Sequence, residues 1–240
     1  MDEKFPPSGQ PEELPFVKEH KCVIAGIGRS GTTFLVRLFT ELGLDTGFSD
    51  PEKFAAYFNV AANAGLEINP LKVHQSPYIV KDPRFVDYVA ELTASGRYVV
   101  DHVFIPIRAL EAAAMSRVHV ARRTGSQIGA LWKTQQPHLQ KAVLAETFYH
   151  LIYQLTVFQI PFTLVEFPRL VNDGDYAWEK LTFLTSVVER ETFLTAYRKV
   201  ARPEDVHQFS SAEIRKTFVK PPLIQRALKR LFGLFRKGSN

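Results

Sequence analysis

The chain has 240 residues, 45% of them apolar, which is enough for one sizeable core and too apolar for disorder except at the ends. Its one cysteine, Cys22, lies in an apolar run. That excludes a disulfide framework and points to a reducing compartment. The net charge of +5 is local: Arg215, Lys216, Lys220, Arg226, Lys229, Arg230, Arg236 and Lys237 crowd the end, and without those eight, 22 basic residues face 25 acidic ones. A nucleic-acid-binding body is therefore not expected. The acidic, proline-rich start lacks the order of a signal peptide, and no apolar run approaches the roughly 20 residues of a spanning helix, so the expectation is a soluble cytoplasmic protein.

Residues 1–20 read as a flexible lead, residues 21–215 as one α/β domain and residues 216–240 as a basic amphipathic tail. The run 21–27 (KCVIAGI) suits a buried parallel strand. Apolar residues at helical spacing over 32–42 then predict a helix stopped by Gly43. A helix over 52–63, a strand over 78–81 (YIVK), a helix over 85–94, a strand over 98–107 and a helix over 110–123 follow. Beyond them the pattern predicts a long helix over 130–159, a strand over 162–167, and helices over 176–188 and 191–200. Alternation of this kind implies a mainly parallel sheet with helices on both faces, three layers in all, and a helical C-terminal region.

Chemistry concentrates in Gly26-Ile27-Gly28-Arg29-Ser30-Gly31-Thr32-Thr33, which follows a strand and opens a helix. Backbone amides in such a turn converge on an anion that the helix dipole also favours. The spacing is that of the nucleotide-binding pattern G-x-x-x-x-G-K-[ST], but Thr32 stands where the lysine belongs and Arg29 is the nearby cation. A chain without that lysine is poorly equipped for γ-phosphoryl transfer. A glycine turn without a ligand is the plain alternative.

Arg29-Ser30-Gly31-Thr32-Thr33-Phe34-Leu35 resembles the 5′-phosphosulfate loop, [KR]-S-G-T-[ST]-x-L, of sulfotransferases that use 3′-phosphoadenosine 5′-phosphosulfate (PAPS). The likeness spans roughly residues 22–170 and implies a P-loop-like fold. It also implies that Gly28, Ser30, Gly31, Thr32 and Thr33 hold the 5′-phosphate while Arg29 neutralises the bridging oxygen. Arg108, ending a strand, and Ser116, eight residues on in the next helix, match the family's 3′-phosphate pair, although the usual proline after the arginine is absent. Lys81, in Lys81-Asp82-Pro83-Arg84, matches a lysine that contacts the transferred group, with Pro83 where some members place a catalytic histidine.

The general base must then come from elsewhere. Glu52, in a segment loosely like a G-x-P-x-E motif of bacterial glycolipid sulfotransferases, is the first candidate; a first-turn helix acid is its bland reading. His74, Asp82 and His102 are rivals, and Asp101, interrupting its strand, reads as a structural polar contact. By this resemblance the co-substrate is PAPS, the product PAP, the acceptor a glycan or glycolipid, and no metal is expected. A divergent kinase or NTPase and a non-catalytic nucleotide-binding scaffold remain as alternatives. The tail over 223–237 places apolar residues on one helical face and basic ones on the other, suiting either an anionic membrane surface or packing on the domain.

Overall fold

A computed structural model describes residues 18–124 and 129–218. Strand β1 (Glu19–Ile24) is followed by helix α1 (Thr32–Glu41). Leu35, Leu38 and Phe39 of α1 are fully buried, as their spacing requires. The helix ends as expected at Gly43, whose φ of 75° lets its N–H donate to the Thr40 carbonyl (2.9 Å) and the Leu44 N–H to that of Phe39 (3.0 Å). Helix α2 (Pro51–Tyr57) leads into a short antiparallel hairpin, β2 (Phe58–Asn59) and β3 (Ala64–Gly65).

Next come β4 (Ile79–Lys81), α3 (Phe85–Ala94), β5 (Tyr98–Ile107) and α4 (Leu110–Thr124). A 3-10 turn (Pro137–Leu139) leads into α5 (Gln140–Val157) and β6 (Phe162–Glu166). The short helices α6 (Arg169–Asn172), α7 (Gly174–Lys180) and α8 (Thr182–Thr185) precede α9 (Arg190–Val200) and α10 (Ser211–Phe218).

The main sheet has strand order β4-β1-β5-β6 with every pairing parallel. The core strand residues Cys22, Val23 and Ile24 are inaccessible to solvent, as the apolar run implied. The helices form two sets that pack among themselves, α1 with α7 and α9, and α3 with α4 and α5. Right-handed crossovers demand this: the chain leaves β1 toward β4 and returns past β1 to β5, so the two connections cover opposite faces. The protein is an α/β fold whose four-stranded parallel sheet is flanked by helices.

Four sequence expectations change. Strand β1 begins at Glu19, inside the stretch read as a lead, because Glu19 and His20 pair with Tyr98 and Val99. The helix expected over 52–63 stops at Tyr57, where Phe58 turns extended (φ −107°, ψ 121°) to pair with Gly65. The helix expected from residue 130 begins at 140; Gln136 before Pro137 is extended, as that position favours, and Gln140 reaches back to both the N–H and the carbonyl of Trp132. The expected 176–188 helix is broken at Leu181 into α7 and α8. The tail over 223–237 lies outside the described residues.

Gly65 has φ 125°, and a Cβ there would overlap the Tyr57 carbonyl oxygen. Gly65→Ala is expected to lower stability by about 1–3 kcal/mol from backbone strain alone, read as a shifted midpoint in urea unfolding.

Candidate functional site

After β1 the chain leaves toward β4, and after β5 it leaves toward β6 on the other side. The carboxyl ends of β1 and β5 therefore flank a crevice where the connections diverge, which in open parallel sheets is where ligands bind. A cavity of about 370 Å³ opens there, walled by Gly28, Gly31, Thr32 and Thr33 after β1 and by Arg108 after β5. That volume falls within the roughly 300–1,000 Å³ typical of small-molecule sites.

The turn is shaped by successive left-handed residues. Gly28 (φ 67°) and Arg29 (φ 58°) both adopt that conformation, and Gly31 (φ 94°) repeats it at the start of α1. Consecutive left-handed residues turn backbone N–H groups toward one point. Among the described residues no side chain caps the first turn of α1, and no acid lies in it. Its leading amides are thus left for an anion at the positive end of the helix dipole.

Behind the turn, Arg117 of α4 donates to the carbonyls of Ile27 (2.6 Å) and Ala130 (2.8 Å) and packs over the Trp132 ring. A Cβ on Gly28 would lie 2.7 Å from its guanidinium and would require this arginine to shift. Burial first, then the charge of Arg29, pulls Arg117 down to about 9, and its Nε has no partner among the described residues. Burial, then the neighbouring charges of Arg108 and Arg123, lowers Arg29 to about 10.

Among the described residues the cavity wall carries Arg29, Arg37, Lys81, Arg84, Arg108, Arg117 and Arg202, against Glu67 and Asp205. Seven cations facing two carboxylates in a partly desolvated space make a strong positive potential.

Of the residues singled out by sequence, Gly28, Arg29, Gly31, Thr32, Thr33, Lys81, Arg108 and Ser116 share this wall. Their contacts differ in part from the expected roles. The Arg29 side chain donates to Ser116 Oγ (3.1 Å) and to the Ala62 carbonyl (2.7 Å), so it leans toward α4. Lys81 reaches the first turn of α1: its ammonium donates to Thr33 Oγ1 (3.3 Å) and the Gly65 carbonyl (2.5 Å), with Glu67 Oε1 at 3.5 Å. Its burial pulls its pKa below the usual lysine range. Arg108 donates to the His207 carbonyl and stacks on Phe167 and Phe209. Ser30 is fully buried and is not on the wall; its hydroxyl has no partner among the described residues.

The candidate bases fall elsewhere. Glu52 is exposed in the first turn of α2, where Asp50 caps its N–H (2.8 Å), and it is not on the cavity wall. His74 is exposed in the loop before β4. His102 bonds Thr163 Oγ1 (2.8 Å) and stacks on Phe183, with its pKa lowered by burial. Asp82, raised by burial, accepts from the Arg84 N–H (2.8 Å) and does not line the cavity. Asp101 contacts His20 and the Tyr78 hydroxyl, the structural role its position suggested.

The carboxylate beside Lys81 is Glu67, which sequence reasoning missed. It is delivered by the hairpin β2–β3, after which Leu66 (φ 61°) turns the chain and Ile68 N–H donates to the Lys81 carbonyl (2.9 Å). The legible signal was Asn63-Ala64-Gly65, a turn sequence at the end of what read as a helix. Residues 129–132 and the segment from Arg202 to His207 also close the wall without any motif to announce them.

Comparison with protein-family models, with curated proteins and with solved structures finds no match.

His207 lines the cavity, and burial first, then His119, Arg29, Arg108 and Arg123, depresses its pKa. An anion seated among those arginines would offset their repulsion, so the His207 pKa should rise when inorganic phosphate fills the cavity. An NMR titration of the ring carbons with and without phosphate reads the shift; an unmoved pKa would place the anion elsewhere.

Proposed function

We propose that this chain is a PAPS-dependent sulfotransferase that moves a sulfuryl group to a hydroxyl or amine, on a glycan or glycolipid. The observation that carries the reading is the uncompensated positive charge on the cavity wall, gathered around a turn whose sequence resembles the family's phosphosulfate loop. Amides at the start of α1 with no side-chain cap among the described residues, and the excess of arginine and lysine on the wall, suit a ligand with several anionic groups.

In this reading the α1 amides with Thr32 and Thr33 receive the 5′-phosphosulfate. Arg108, Arg29 and Ser116 receive the 3′-phosphate, Arg108 exchanging its carbonyl contact for a charge-assisted one. Lys81, bridging Thr33 and Glu67, sits beside the sulfuryl group. The acceptor oxygen or nitrogen attacks sulfur in line, its proton passing to the Glu67 carboxylate; the bond from sulfur to the bridging oxygen breaks, and that oxygen leaves with its electron pair on PAP. Lys81 and the turn amides stabilise the charge that builds there. Glu67 replaces Glu52 as the proposed base because proton transfer requires hydrogen-bond reach of the reacting atoms, and Glu67 is the acid beside Lys81.

Thermal shift tests the donor. PAP without magnesium is expected to raise Tm by several degrees, since ligand at 100 times its Kd contributes about 2.7 kcal/mol. Stabilisation by ATP with magnesium and not by PAP would favour a kinase or NTPase, and silence from both a non-catalytic scaffold. Arg108→Ala should weaken PAP binding about tenfold or more yet leave affinity for adenosine 5′-phosphosulfate nearly unchanged; equal losses would refute the 3′-phosphate assignment.

Turnover tests the base. With labelled PAPS and a pool of glycans and glycolipids, Glu67→Gln should slow transfer by about 100-fold or more while PAP still binds. Glu52→Gln should leave both unchanged.

A further inference from the structure

Five of the seven wall cations are engaged by the protein itself. Arg29 holds Ser116, Lys81 holds Thr33 and Gly65, Arg108 holds His207, Arg117 holds Ile27 and Ala130, and Arg202 holds Ala201. The side chains of Arg37 and Arg84 have no hydrogen-bond, ion-pair or ring partner among the described residues. Both line the same cavity as Lys81. Arg37 lies four residues after Thr33 on α1, hence on the same helical face, and Thr33 accepts from Lys81. Arg84 lies three residues after Lys81 and is exposed, so the wall reaches solvent there.

Building on the donor reading above, we infer that the acceptor carries a carboxylate, phosphate or sulfate next to the group that is sulfated, and that Arg37 and Arg84 hold it. A guanidinium presents paired N–H donors that match the two oxygens of such a group; those of Arg37 and Arg84 make no hydrogen bond among the described residues, although the Arg84 charge also acts on Asp82, and are available to do so. The requirement is electrostatic as well. An anionic acceptor must approach both the Glu67 carboxylate and a negatively charged donor, and two further cations at the acceptor's end offset that repulsion. The engaged cations around Arg29, Arg108 and Ser116 are accounted for by the donor.

The experiment is calorimetric titration of the full chain, saturated with PAP, with three probes: a glucuronate-containing oligosaccharide, glycerol phosphate and a neutral oligosaccharide of equal length. The expected result is binding of at least one anionic probe at least tenfold tighter than the neutral one. That binding should fall tenfold or more in Arg37→Gln and in Arg84→Gln, recover in part in Arg84→Lys, and leave PAP affinity within twofold. The carboxylate and phosphate arms distinguish an acidic glycan from a phosphate-bearing lipid headgroup. Equal binding of neutral and anionic probes, or no anionic binding, would overturn the inference. So would a parallel loss of PAP affinity in both variants, which would assign the arginines to the donor. Should PAP fail to bind the unaltered chain while the anionic probe binds through Arg37 and Arg84, the donor reading falls and the anion site stands. Both side chains reach solvent, and unchanged Tm values confirm that the variants fold.

Discussion

The structure depends on positive charge held out of water without enough negative charge to balance it. Arg29, Lys81 and Arg117 are buried deeply enough that burial is the first cause lowering each pKa, and the arginines also repel one another. Such an arrangement costs stability unless hydrogen bonds or a ligand offset it. Carbonyl oxygens do part of this: those of Ile27, Ala62, Gly65 and Ala130 each accept from one of the three. The remaining potential points into the cavity, a setting that would favour an anion.

The backbone is bent to serve the same end. Left-handed conformations at Gly28, Arg29, Gly31 and Leu66 all lie in segments that form or feed the cavity wall. For Arg29 and Leu66, which carry side chains, this conformation is strained. Arg117 braces the glycine turn from behind, and Lys81 braces the hairpin that delivers Glu67. The same side chains that make the site cationic also set its shape.

The base assignment shows how chemistry and topology separate. Glu52, the acid with the better motif, sits exposed in a helix start capped by Asp50, doing there what first-turn acids do. Glu67, which has no motif, is carried to Lys81 because a two-residue hairpin and a left-handed Leu66 turn the chain back along the end of β4. Sequence proximity to the glycine turn was a poor guide to spatial proximity.

The amino-acid sequence alone was enough to establish the strand-turn-helix order within residues 21–42, the stop at Gly43, the α3, β5 and α4 segments, the burial of Cys22, and Arg29, Lys81, Arg108 and Ser116 as candidates. Helical and strand periodicity and glycine stereochemistry act over a few residues, so they are written locally. Only the tertiary structure decided that β1 and β5 stand side by side with their exits diverging, that Arg29 leans on Ser116, that residues 129–132 and 202–207 close the wall, and that Glu67 is the acid at Lys81. Those facts follow from strand order and from the path of loops between distant segments, and no local pattern encodes either.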